Sequence, residues 1–169
     1  MNTLLEEYDI DFIGSSASLE DRAIYDTCGA FFKQKTKYIL VLLNIGAQHG
    51  FYLNTKDKDE DRMRFTDACC QFFEYIQKKC PTLCLLTATP NSKKGEETIL
   101  DENKNKEISS RNEVQKKIAE DMKMDIIDLY QFVLDKKFKF RDTQHFDSDT
   151  LPQFAEYIVS ELKRKGIIQ

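Results

Sequence analysis

Blocks of different hydrophobic period follow one another along this chain. Residues 8–14 (YDIDFIG) are a short apolar stretch ending in Gly-Ser-Ser-Ala-Ser, the pattern of a strand that runs into a turn. Between residues 19 and 34, Ile24, Cys28 and Phe31 share one face at helical spacing, and Ser18 stands where an N-cap is needed. Residues 38–45 (YILVLLNI) are almost continuously apolar, as a strand covered on both faces must be, which predicts the central strand of a sheet. Residues 46–61 read as a loop. After it, Phe65, Cys69, Phe72 and Ile76 predict a helix running to Lys79 and stopped by Pro81.

Residues 83–88 (LCLLTA) form a second buried strand, closed by Thr89-Pro90. The polar stretch 91–106 (NSKKGEETILDENKNK) has the composition of a solvated loop, long enough to serve as the rim or lid of a site. Ser109 or Ser110 can cap a helix carrying Val114, Ile118 and Met122, and residues 125–129 (DIIDL) give a third short buried strand. Leu151, Phe154, Ala155, Ile158 and Leu162 then make a stripe for a terminal helix. Four strand–helix alternations predict an α/β fold, a small parallel sheet in a three-layer α/β/α sandwich, with ligands bound beyond the carboxyl ends of the strands.

Composition narrows the class. The 169 residues suit one domain, 1–169, and no internal repeat or linker divides them. With 41% hydrophobic and 32% charged residues, 12 Phe and 7 Tyr, the chain has the material for a folded core. A net charge of -4 provides no basic field for nucleic acid, and no apolar run is long enough to span a bilayer, so neither nucleic acid nor membrane is expected as a partner. The acidic start predicts a cytoplasmic location as written; a preceding segment with a secretion signal would change that to secreted. Five cysteines, an odd number without paired metal-ligand spacing, read as reduced, buried thiols, and no metal or organic cofactor is implied.

Only two histidines are present, so any mechanism that needs an imidazole base must use His49 or His145. His145 lies in RDTQHFD, a polar segment just before the terminal helix, at the carboxyl edge of the predicted sheet. Asp142, three residues earlier, can turn back within one loop and accept the imidazole N–H, which makes a base and its orienter. A surface histidine beside a turn-capping aspartate would leave the same pattern, and DxxH often arises by chance. His49 reads as an exposed loop histidine at the rim of the site.

The order of these motifs resembles the SGNH or GDSL hydrolases. The family's last motif is a DxxH segment followed by a helix, matched by Asp142-Thr-Gln-His145 and LPQFAEYIVSEL. Its third strand ends in GxND, where this chain has Gly46-Ala-Gln48-His49; its fourth leads into a Thr-Pro segment, matched by LLTATP. Arg111-Asn112 and IIDLY fill the later places, so the resemblance covers residues 37–165. It implies a flavodoxin-like SGNH architecture and an ester hydrolase that removes O-acyl groups, acetyl on carbohydrate among them, from a small-molecule or carbohydrate ester. It also implies that a Ser attacks the acyl carbonyl, His145 takes its proton, and Asp142 orients His145. Gly46 and Gln48 would then stand in the oxyanion hole, with Gln48 replacing the family's Asn and His49 its Asp.

The nucleophile motif has two readings. Phe12-Ile-Gly14-Ser15-Ser16 looks like the family's first motif, with Ser16 as nucleophile; yet only 29 residues separate Ser16 from Gly46, where the family has a further strand–helix unit. Alternatively GSSAS is the second motif, Gly14 supplies an oxyanion donor, and the nucleophile strand is missing. Because the nucleophile strand lies between the second and third strands in such sheets, its loss would leave a gap. A catalytically inactive SGNH-like binding module is therefore the rival to a working esterase. A flavodoxin-like regulatory domain is weaker, since Asp9 and Asp11 are not clustered as a phospho-acceptor site requires.

Overall fold

The structure, a computed structural model, describes residues 8–14, 18–34, 37–45 and 58–169. Its elements are α1 (Arg22–Gln34), β1 (Val41–Asn44), α2 (Lys58–Gln77), β2 (Leu83–Leu86), α3 (Glu102–Asp121), β3 (Asp125–Ile127), α4 (Leu129–Lys136) and α5 (Leu151–Arg164). The strands pair in parallel in the order β1-β2-β3, with Leu42 opposite Cys84 and Leu86 opposite Ile127. The expected α/β class with a small parallel sheet is what the chain adopts. No helix among the described residues is long and apolar enough to cross a membrane.

Side-chain alternation divides the core into two layers. Leu83, Leu85 and Leu43 face Ile24 and Cys28 of α1, Phe65, Phe72, Phe73 and Ile76 of α2, and Val114, Ile118 and Ala119 of α3. Cys84, Leu86 and Ile127 face Leu162 and Ile158 of α5 on the other side. Each large apolar side chain fully buried in this way stabilises the fold by about 1.5–3 kcal/mol. The α1–α2 contact is close: Tyr25 meets Phe72 and Tyr75 edge-on, and a Cβ on Gly29 would lie 2.9 Å from the Tyr75 hydroxyl. All five thiols are free, four of them buried and Cys70 half-buried. Burial pushes every one above the ordinary thiol range, Cys84 to about 12.

Several elements differ from the sequence-based expectation. Residues 8–14 form no strand; Ile10 and Phe12 are exposed. α1 begins at Arg22 rather than at residue 19, because the cap is Asp21, whose Oδ1 accepts the Ala23 N–H at 2.9 Å, while Ser18 caps the preceding turn through the Glu20 N–H. Among the described residues the central strand is β2, every residue of which is buried, whereas β1 lies at one edge with Leu42 40% exposed. An apolar run reports that a strand tends to be covered, not on how many sides. α2 begins inside the expected 46–61 loop, its first turn carrying Asp59, Glu60 and Asp61, which suit the positive end of the helix dipole.

The largest difference is at α3. Asp101 caps it by accepting the Asn103 and Lys104 N–H groups, so the helix starts at Glu102 and Ser109 and Ser110 lie mid-helix. Asn91 and Ser92, expected in a solvated loop, are buried. The core-facing line of α3 runs Asn105, Ile108, Asn112, Gln115, Ala119, and three polar members hide its helical period. α4 was not expected at all; Asp128 caps it through the Gln131 N–H, and Lys137 ends it in the left-handed region at φ 54°. In α5 the stripe holds from Phe154 to Leu162, but Leu151 at its start is exposed.

Candidate active site

The DxxH segment is a tight turn clamped at its base. Phe140 and Phe146 form an antiparallel bridge, and the Arg141 N–H donates to the His145 carbonyl at 2.8 Å. Both phenylalanines are buried in a cluster of rings with Phe138 and Phe154, which Phe132 extends to Tyr157 by stacking at 4.0 Å. A rigid aromatic floor therefore holds a polar turn at the surface.

Within the turn, the Asp142 carboxylate and the His145 ring meet. His145 Nδ1 lies 2.8 Å from Asp142 Oδ2 and 3.0 Å from Oδ1. Asp142 Oδ1 also accepts the backbone N–H groups of Gln144 and His145, each at 2.9 Å. These two backbone bonds, then the imidazole, hold the Asp142 carboxyl at about 2, below the usual carboxylate range. An ionised Asp142 can only accept, so a neutral His145 carries its proton on Nδ1 and leaves Nε2 with a free lone pair. The His145 side chain is 61% exposed, open to a substrate.

Ser92, which sequence reading passed over as loop, ties this turn to the sheet. Its Oγ donates to the Asp142 carbonyl and its N–H to the Thr143 carbonyl, both at 3.0 Å. Ser92 lies on the segment that follows the carboxyl end of β2, so the Asp142–His145 pair is tied to the carboxyl side of the sheet. Asn91 is fixed in turn by Asn105, whose side chain both accepts the Asn91 N–H and donates to its carbonyl at 2.8 Å. Asn112 pairs in the same way with Ala88, at 3.0 and 2.9 Å. Each amide substitutes for a missing neighbouring strand, satisfying backbone groups that burial would otherwise strand. The available signal was two asparagines seven apart on one polar helix, facing a Thr-Pro-Asn segment.

Two further groups shape the same edge. Asn44, at the end of β1, donates to the Leu86 and Thr87 carbonyls at 3.1 Å. Thr87 Oγ1 donates to Asp128 at 2.9 Å and accepts the Tyr130 N–H at 3.0 Å, while Lys116 pairs with the other carboxylate oxygen. Burial alone would raise the Asp128 carboxyl; Lys116, Gln131 and Thr87 outweigh it and bring it below the ordinary value.

Of the residues singled out from sequence, the structure brings Asp142 and His145 together. Gly14 is described, exposed, and part of no helix or strand. Ser16, Gly46, Gln48 and His49 lie outside the described residues.

No family model and no curated protein sequence matches the chain. Solved structures do. An acetyl xylan esterase, AlAXEase, is similar over 86% of this chain and 76% of its own, with TM-score 0.64 and 17% identity. A lipase/acylhydrolase from Enterococcus faecalis is similar over 88% and 72%, with TM-score 0.60 and 16% identity. LAE5, an alpha/beta hydrolase enzyme from the metagenome of Lake Arreo, Spain, is similar over 92% and 71%, with TM-score 0.61 and 14% identity. The chain thus has the fold of SGNH/GDSL-like hydrolases.

Proposed function

We propose that this chain is an ester hydrolase of the SGNH/GDSL type that removes O-acyl groups, acetyl among them, from small-molecule or carbohydrate esters. The observation that carries the reading is the Asp142–His145 contact at 2.8 Å, presented on a clamped turn tied to the carboxyl side of the sheet. The fold neighbours, an acetyl xylan esterase and a lipase/acylhydrolase, support the substrate class.

In this reading Ser16 is the nucleophile. His145 Nε2 accepts the Ser16 hydroxyl proton as the oxygen attacks the acyl carbonyl, and Asp142 stabilises the imidazolium that forms. The tetrahedral oxyanion takes hydrogen bonds from the Ser16 and Gly46 N–H groups and the Gln48 amide. Collapse expels the alcohol, which receives the proton from His145; water, deprotonated by the same imidazole, then hydrolyses the acyl-enzyme. His49 lines the rim.

Hydrolysis of p-nitrophenyl acetate by the wild type, Ser16→Ala and His145→Ala tests this. Turnover by the wild type, with loss of about a thousand-fold or more in each variant, is the expected result. An inert wild type, or a Ser16→Ala that keeps full rate, would leave a binding module of the same fold as the better reading.

A further inference from the structure

Ser92 holds the tip of the DxxH turn from outside. It is 2% exposed, and its two polar groups go to successive carbonyls of the turn, Oγ–H to Asp142 and N–H to Thr143. The second bond reaches the carboxylate through a single peptide. The plane that carries the Thr143 carbonyl also carries the Gln144 N–H, which donates from its far side to Asp142 Oδ1 at 2.9 Å. His145 Nδ1 lies on the same carboxylate. Ser92 and the imidazole are therefore opposite ends of one short line of hydrogen bonds, along which each bond polarises the next.

Ser92 is itself fixed. It bridges antiparallel to Leu100, and the Lys93 N–H donates to the Ile99 carbonyl at 2.7 Å, so residues 92–100 close into a hairpin. Just before it, the Asn91 carbonyl accepts from the Asp101 N–H at 3.0 Å and from the Asn105 side chain. The same hairpin meets the base of the turn, where the Phe140 N–H donates to the Glu97 carbonyl at 2.9 Å. α3 thus holds the hairpin, and the hairpin holds the turn at its base and at its tip. For burial the Ser92 hydroxyl matters little, since Asp142 is exposed and water can take its carbonyl instead. Water does not supply a fixed position, and a reacting group displaced by about 1 Å loses about a hundred-fold in rate.

We propose that Ser92 is a positioning residue of the base: through Asp142 it selects the imidazole tautomer with the proton on Nδ1 and fixes where Nε2 is presented. The inference rests on the hydrolase reading for its effect on rate, and not for its effect on the ring. Removal of the hydroxyl frees the peptide between residues 142 and 143 and lets the carboxylate swing toward solvent. The ring is then released toward the tautomer protonated on Nε2, which has no lone pair there to accept a nucleophile's proton. Ser92, being covered, touches no substrate, so the loss falls on kcat and leaves KM alone.

Two-bond proton–nitrogen correlation spectra of the neutral rings read the tautomer without any ester present, and the signals lost in His145→Ala assign the ring. The wild type should show His145 mostly protonated on Nδ1. In Ser92→Ala the ring should move toward the other tautomer, and hydrolysis of p-nitrophenyl acetate should lose about ten-fold or more in kcat with KM within about two-fold. Ser92→Thr, which keeps a hydroxyl, should restore both. If Ser92→Ala does not fold, Ser92→Cys, of nearly the same shape with a weak donor, takes its place. An unchanged ring in the folded variant overturns the proposal, as does a loss carried by KM alone. A wild type that hydrolyses nothing, with a ring that still answers to Ser92→Ala, would defeat the hydrolase reading and leave the positioning role standing.

Discussion

Asp142 has three acceptor tasks in one turn, two for the backbone and one for the imidazole, and they respond differently to substitution. Asp142→Asn keeps an oxygen for the Gln144 and His145 N–H groups but presents an N–H to His145 Nδ1. The ring then takes the opposite tautomer, with its proton on Nε2, and the proposed base is lost. We expect ester turnover to fall about ten-thousand-fold while the far-ultraviolet spectrum and melting temperature stay near wild type. pH acts on the same group. Because the folded state holds this carboxyl at about 2, its contribution to stability is complete above the ordinary carboxylate range and is lost as pH falls from about 4 through 2. In Asp142→Asn the acid limb of stability against pH should be shallower in that window, measured by urea melts from pH 5 to pH 2; an unchanged limb would mean that the bonds to Asp142 do not persist in solution. These bonds were legible in Asp-Thr-Gln-His as chemistry, but their realisation depended on Phe140 and Phe146, which nothing in the motif itself marks.

At the scale of elements, α3 is where sequence and structure part, and the cause is its polar inner face. Asn105 and Asn112 are there to complete the backbone of residues 88–91, and removing either leaves buried donors and acceptors unpaired. Gln115 is the contrast: it is fully buried and, among the described residues, neither amide atom has a hydrogen-bond partner. Asn112→Leu should therefore destabilise by about 3 kcal/mol, whereas Gln115→Met, of similar length and shape, should be neutral or stabilising by about 1 kcal/mol. Denaturant melts of the two variants decide this, and a large loss in Gln115→Met would show that the amide has a partner in solution. α2 and α5 were legible because Phe65, Cys69, Phe72 and Ile76, and Phe154, Ile158 and Leu162, are apolar without interruption. α4 escaped because only eight residues, begun by the aspartate that ends the β3 segment, carry it.

For the molecule as a whole, the succession of β1, α2, β2, α3, β3 and α5 was readable, since each strand is apolar and α2 and α5 carry clear apolar stripes, but coverage was not. Whether residues 38–45 are central depends on what lies beyond Leu42, and an apolar side chain carries no record of its neighbour. Asn44 fastens the end of β1 to β2, just before the segment that carries Gly46 and Gln48, which lies outside the described residues. The five thiols distribute differently, through α1, α2, β2 and the turn before β2, with none in the DxxH turn. Thiolate is the reacting form, and burial suppresses it at all five positions. The native chain thus carries its own clock for opening. A thiol-specific chromogenic reagent should modify it slowly, at a rate that follows unfolding, and should count five equivalents at once in denaturant. A fast phase of more than one equivalent under native conditions would mean that the layer around α2 opens by itself. With the background so quiet, a sixth cysteine introduced at the surface would be read without removing the other five.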